Sequence, residues 1–271
     1  MTISAADQRF LSDATRYAAY LETPEGRLRL DLAFANLLEF LPQATPSLRA
    51  LDIGCGTANL GIRLARLGFH VTLLDPSQPM LDIAGRAAQE AGVTEMIALH
   101  SGHAMQIGDS FENESFDVIL CHNVLEFVED PRVVLRSVAR LLRSSFGIIS
   151  VLVRNQPGEV LKKALVDGDL TAAEQTVGAD WGDESLYGGK VRLFTAKSLR
   201  TMLEHASFAV AAERGVRVFS DYLPANVSRT GEYERIFQLE RNLGGDPEFA
   251  AVARYTHCLA RRKGPLIENG I

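Results

Sequence analysis

The sequence predicts an α/β protein built on a doubly wound, Rossmann-like parallel sheet, and three observations carry that reading. Apolar runs of strand length alternate with segments of helical period from about residue 48 onward. The first run ends in the glycine turn Gly54-Cys55-Gly56, and the second ends in an acid, Asp75. Open sheets of this type bind ligands in the crevice outside the carboxyl ends of their strands.

The elements follow in order. Residues 5–42 read as mostly helical, with a break at Thr23-Pro24-Glu25-Gly26. RALDIGCGT is a buried strand, NLGIRLARLG a helix closed by Gly68, and HVTLLDPS a second strand. QPMLDIAGRAAQEAG is a helix ending at Gly92, and MIALHSG a third strand. FDVILCHNVLEFV is a strand running into a loop, PRVVLRSVARLLR a helix opened by Pro131, and FGIISVLV a fifth strand. Helices of this length between strands imply right-handed crossovers and a parallel sheet covered on both faces. TAKSLRTMLEHA then reads as a helix, with SFAVAAERGVRVF and RYTHCLARRK as late strands. The expected layout is one domain: a helical lid over 1–47, a ligand-binding core over 48–154, an irregular insertion over 155–195 and a C-terminal part of the sheet over 196–263.

Composition narrows the class. Of the 271 residues 46% are hydrophobic and 23% charged, which excludes a disordered chain or a coiled coil. No apolar run approaches the roughly 18–20 residues needed to span a bilayer. The first residues lack a basic region followed by an apolar one, so no secretory signal is expected. Cys55, Cys121 and Cys258 lie far apart with no CxxC pair, which predicts neither a disulfide framework nor a metal site and suits the cytoplasm. The net charge of −6 argues against a generic nucleic-acid binder, but it is unevenly spread. Residues 164–189 hold six acids and no base, whereas residues 190–263 hold 13 Lys or Arg against 8 acids. A basic C-terminal surface suits an anionic substrate.

The glycine turn lets the backbone bend tightly and approach a ligand where a Cβ would collide. The dinucleotide fingerprint is incomplete, because Asn59 stands at its third glycine and the next glycine is Gly61, so NAD and FAD are disfavoured. Asp75, 19 residues after Gly56, is placed to accept both hydroxyls of a ribose, although a residue there also caps the helix starting near Ser77. Met80, one turn into that helix, is placed to pack on a purine.

These residues resemble the class I S-adenosylmethionine-dependent methyltransferases over the core from Arg49 to Val153. LDIGCGTANLGIRLA is similar to the first motif of that family, SGHA at 101–104 to the segment flanking adenine, and FDVILCHNVLE to the fourth-strand motif. The resemblance implies S-adenosyl-L-methionine as cofactor, with Asp52, Gly54, Cys55, Gly56, Asp75, Pro76, Met80, His103, Ala104 and His122 around it. Two positions depart from the pattern: Arg143-Ser144-Ser145-Phe146-Gly147 replaces the usual turn, and His103 stands where an acid often receives the adenine amino group.

A narrower resemblance runs over nearly the whole chain. GRLR at 26–29, VLEFVEDPR at 124–132, GVRVFSDYL at 215–223 and RYTH at 254–257 look like the bacterial tRNA 5-carboxymethoxyuridine methyltransferase family, which esterifies the carboxylate of a modified wobble uridine. It implies that Arg29 reaches the carboxylate of the cofactor and that His122 lines its pocket. The wholly acidic stretch 164–189 replaces a basic one in that family, and Arg154-Asn155 replaces Tyr-Asn. The acceptor therefore stays open between a tRNA anticodon loop and a small anionic molecule. Arg154, Asn155, Arg217, Tyr222 and Arg254 are its expected contacts. A non-catalytic nucleoside-binding regulator would need the same turn and acid. No catalytic side chain is assigned: methyl transfer from a sulfonium is an in-line displacement, and a carboxylate acceptor, with a pKa of about 4, arrives ionised. No membrane contact and no stable protein partner are implied.

Overall fold

A computed structural model describes residues 14–42, 47–143, 146–184 and 188–264. Parts of two expected features, the helical stretch over 5–13 and Ser144-Ser145 of the unusual turn, lie outside the described residues.

Five strands, β1 (Arg49–Ile53), β2 (His70–Asp75), β3 (Ile97–Ser101), β4 (Val118–His122) and β5 (Ile148–Arg154), pair in parallel. The short strands β6 (Trp181–Asp183) and β7 (Lys190–Arg192) form a separate hairpin. The last strands, β8 (Phe208–Val216) and β9 (Tyr255–Arg262), join the main sheet antiparallel, in the order β3-β2-β1-β4-β5-β9-β8. Strand order reverses between β1 and β4, which opens a crevice at their carboxyl ends.

The lid contributes α1 (Ala14–Leu21) and α2 (Pro24–Leu38), the latter started by Thr23, whose hydroxyl accepts from the Gly26 amide at 3.1 Å. Next come α3 (Asn59–Arg66), α4 (Gln78–Glu90), the one-turn α5 (Ile107–Ser110) and α6 (Pro131–Leu141). They bury the sheet from both faces. Leu51, Ile53, Ile119 and Ile149 pack against Val134, Val138 and Leu199 on one side, and Val71, Leu73 and Leu120 against Leu64 and Ala84 on the other. A third cluster ties α2 to the sheet through Leu28, Leu32, Leu152, Val216 and Tyr255.

The structure corrects the sequence reading in two places. The insertion is regular, with α7 (Gln156–Leu165) and α8 (Leu170–Thr176) ahead of the β6–β7 hairpin. After α9 (Ala196–His205), a 13-residue helix, α10 (Tyr233–Gly245), and the short α11 (Pro247–Ala250) bridge β8 to β9. The buried stripe of α10 is Ile236, Glu240 and Gly244, so a charge stands where an apolar period is sought. Glu240 is fully buried and accepts from the amides of Val218, Phe219 and Ser220 at 2.5, 3.0 and 2.7 Å. It pins the GVRVFSDYL segment against the sheet end. Among the described residues, no helix is long and apolar enough to cross a membrane.

Candidate active site

The glycine turn leads into α3 with Gly54 at φ +63° and Gly56 at φ +53°. A Cβ on Gly54 would lie 2.5 Å from Val124, and one on Gly56 2.9 Å from the Tyr17 ring. Gly61 packs α3 onto β2, since a Cβ there would meet Leu73 at 2.4 Å. It supplies the close helix–strand contact that a third fingerprint glycine supplies elsewhere. The carboxylate of Asp75 accepts from the Gly56 amide and from the Ser77 amide, each at 2.9 Å. Asp75 thus locks the turn, whereas the cap of α4 is Ser77, whose hydroxyl accepts from the Met80 amide at 3.4 Å; each Asp75 oxygen keeps a second lone pair. Burial pushes its carboxyl up, against the pull of those amides and of His103.

Asp52 lies one strand away, buried at the base of the crevice. Burial, and then the charge of Asp75, push its carboxyl up to about 7, although the Gly61 amide opposes this. Unfolded, the same group titrates near about 3.9. Between about pH 4 and 7 the folded state keeps a proton the unfolded chain has lost, so stability falls as pH rises through that window. Asp52→Asn cannot ionise and is expected to remove this part of the slope, gaining on the parent protein by about 3 kcal/mol at pH 8 relative to pH 4. Thermal midpoints of the two proteins across that range check it; parallel curves would mean that Asp52 is ionised in the fold.

Arg29 reaches the crevice from α2. Its Nη1 donates to Asn123 Oδ1 at 2.8 Å and its Nη2 to the Tyr17 hydroxyl at 3.1 Å. The guanidinium lies over the rings of Tyr17, Tyr20 and Tyr255. Its Nε is buried without a hydrogen-bond partner among the described residues, as is Nδ1 of His122 across the cleft. Burial, then His257 and Arg29, hold the His122 imidazole well below its usual range, so it is neutral.

The structure brings Arg29, Asp52, Gly54, Cys55 and His122 together as lining of one cleft of about 430 Å³, counting the open space at its mouth. Gly56 and Asp75 adjoin it through the hydrogen bond above. Pro76, Met80, His103 and Ala104 are not part of that lining: Met80 is buried beneath α4, while His103 is exposed close to Asp75. Sequence reasoning missed Tyr17 and Asn123. A φ of +54° at Asn123, in the conformation asparagine tolerates best, turns its amide between Arg29 and Glu126. A larger cavity, about 910 Å³ on the same measure, lies at the amino ends of β1–β3 beside Arg49, His70 and Glu95. That is the end of an open parallel sheet opposite to the one where ligands bind, so the smaller cleft is the candidate site.

On the acceptor side the expected contacts have partners within the chain. Arg154 meets both oxygens of Glu184 at 2.8 Å, and its Nη2 makes both bonds. Arg217, at φ +61°, donates from Nε to Asp221 at 2.7 Å and from Nη1 to the Tyr20 hydroxyl at 3.0 Å. Arg254 pairs with Glu159 and lies 3.6 Å from Asp221. Asn155 donates to the carbonyls of Ala251 and Ala253, and the half-buried Tyr222 hydroxyl reaches the Gly158 carbonyl at 3.5 Å. Composition made these side chains look like free cations and donors; folding has neutralised them internally. They surround Tyr255. Burial opposes ionisation of that phenol, but Arg29, Arg217, Arg154 and Arg254 outweigh it and bring its pKa below the usual tyrosine range.

A switch-point crevice with a glycine cradle, an acid at the end of the second strand and a buried arginine that has no carboxylate partner among the described residues defines a nucleoside-binding α/β protein. The methyltransferase-domain family model matches residues 25–213, and the chain belongs to that family. It is an S-adenosylmethionine-dependent methyltransferase, and its residues fit that cofactor: a cradle a Cβ would fill, and unpartnered buried nitrogens on Arg29 and His122 for its polar end. The chain is 30% identical to tRNA 5-carboxymethoxyuridine methyltransferase of Escherichia coli K12, over 89% of this chain and 90% of that protein. It is 40% identical to the ubiquinone biosynthesis O-methyltransferase of Aeromonas salmonicida, over 40% of this chain and 44% of that one. The fold is shared with a possible histamine N-methyltransferase from Thermotoga maritima, with TM-score 0.61 and 15% identity, covering 94% of this chain and 99% of the other.

Proposed function

We propose that the enzyme methylates a carboxylate oxygen of an anionic acceptor, and that this acceptor is the carboxymethoxy group of a wobble uridine in tRNA. The observation that carries the reading is the reach of the Escherichia coli match, which spans 89% of the chain and so extends past the cofactor core. The Aeromonas match spans 40%. The chain after β5 and after β8 is the acceptor side on this reading, and a match over 40% of the chain cannot hold it together with the whole cofactor core.

Chemistry favours a carboxylate as well. The histidine lining the cleft is neutral, but its Nε2 is committed to Ser150 at 2.7 Å. A carboxylate needs no proton removed, so the protein has chiefly to hold acceptor and cofactor close and aligned, worth roughly 7–11 kcal/mol in favourable cases. The cofactor supplies the electrophilic methyl group. Arg29 would bind its carboxylate and Asp75 its ribose.

One observation favours a second reading, a small carboxylate. The insertion turns Glu184 onto Arg154 and carries six acids over 164–189, a field that repels phosphates. Transfer of labelled methyl to tRNA bearing carboxymethoxyuridine, measured across a salt series, separates the two. On the tRNA reading, label enters the tRNA and affinity falls on a log–log plot by about 0.7 per neutralised phosphate. No incorporation and no binding of that tRNA at low salt would leave the small molecule.

A further inference from the structure

Behind the cleft, four polar residues from four elements, three of them buried, form one hydrogen-bond chain. Asn36 on α2 places its Nδ2 3.3 Å from Nδ1 of His257 on β9. Nε2 of His257 lies 2.7 Å from the hydroxyl of Ser150 on β5, and that hydroxyl lies 2.7 Å from Nε2 of His122 at the end of β4. Asn36, Ser150 and His257 are all buried, and the two imidazoles meet edge to face at 5.2 Å. The chain ends at His122 Nδ1, which has no hydrogen-bond partner among the described residues.

We propose that Asn36, His257 and Ser150 are positioning residues that fix His122 as its Nδ1–H tautomer, so that it offers this N–H to an oxygen of the molecule bound beside Arg29. The order of donors follows from counting protons. Burial, then Arg214, hold His257 at about 3, and His122 is neutral as well, so each ring has a single N–H. Asn36 Nδ2 can only donate, so Nδ1 of His257 accepts and its proton sits on Nε2. That N–H donates to Ser150, whose one proton then turns toward Nε2 of His122. The proton of His122 is left on Nδ1. A buried N–H without a partner is costly, and a ligand oxygen removes the cost. Arg29 and Asn36 stand on the same helix, so one element both carries the arginine and sets the tautomer.

The test is the ¹⁵N spectrum of the imidazoles, recorded in the full chain without ligand and then with S-adenosylhomocysteine. The expected result is His122 protonated on Nδ1 and His257 on Nε2 in both states, with the His122 Nδ1–H signal shifting on binding. Asn36→Leu has the size of asparagine and neither donates nor accepts; it should mix the tautomers of both rings and weaken S-adenosylhomocysteine binding about tenfold. His122 protonated on Nε2 in the parent protein overturns the proposal, whether or not the variant folds. So does a tautomer unchanged in Asn36→Leu.

Discussion

Arg217→Glu is expected to unfold the protein, or to lower its thermal midpoint by about 10–20 °C, before any effect on an acceptor can be read. A cation in GVRVFSDYL invites a different expectation, that reversing it would raise KM or lower kcat while leaving cofactor binding intact. The structure decides against this. The Arg217 and Asp221 side chains are 8% and 9% exposed, and they bond to each other through both Nε and Nη2. Removing one partner of a buried pair costs about 3–5 kcal/mol when the other charge stays uncompensated; Asp221 would keep only Arg254, at 3.6 Å, which places the cost toward the lower figure. Reversal adds repulsion to that loss. The positive φ of Arg217 leaves the backbone with little room to relax. A paired variant isolates the cause: Arg217→Met with Asp221→Asn should be less destabilised than Arg217→Met alone, since the buried carboxylate that has lost its main partner is gone while Arg254 keeps Glu159. Wild-type midpoints with a raised KM in Arg217→Glu would restore the residue to the acceptor site.

Arg29→Met is expected to weaken S-adenosylmethionine binding by about 3–4 kcal/mol, a factor of several hundred. The guanidinium is the charged group of the cleft that has aromatic faces and neutral acceptors around it, Tyr17 and Asn123, but no carboxylate ion pair among the described residues. A cation held in this way is ready for an anionic ligand group. Arg29→Lys should recover only a small part of the loss. An ammonium cannot make the two divergent bonds to Asn123 and Tyr17 and lie flat on the rings as a planar guanidinium does. Calorimetry with S-adenosylhomocysteine measures the effect, and circular dichroism shows whether the fold is intact. Affinity within a factor of three of the parent in a folded Arg29→Met would move the cofactor's carboxylate elsewhere.

Much of the cofactor half was legible before any coordinates. Strands β1–β5 and the helices between them follow from hydropathy period, and each boundary is set by a nearby turn or cap. Gly54 and Gly56 declare a left-handed turn, and Asp75 declares itself by ending a strand beside it. The late helix α10 was not legible, because Glu240 interrupts its apolar stripe and its purpose is visible only with the amides of 218–220 in place. Tyr17 carried no motif, and Asn123, though inside the fourth-strand motif, carried no assigned role; they matter because α1 and the β4 loop meet over the glycine turn.

The sequence by itself determined the sheet type, the crevice end and the class of cofactor, because period, glycine conformation and strand-end acids are local properties of neighbouring residues. Only the tertiary structure decided which charges remain available to a ligand. Arg217 finds Tyr20 across 197 positions, Arg254 finds Glu159 across 95, and His257 finds Asn36 across 221. Summed charge along a chain cannot foresee such pairings, since burial forces each polar group to take whichever partner the packing of distant elements puts within reach.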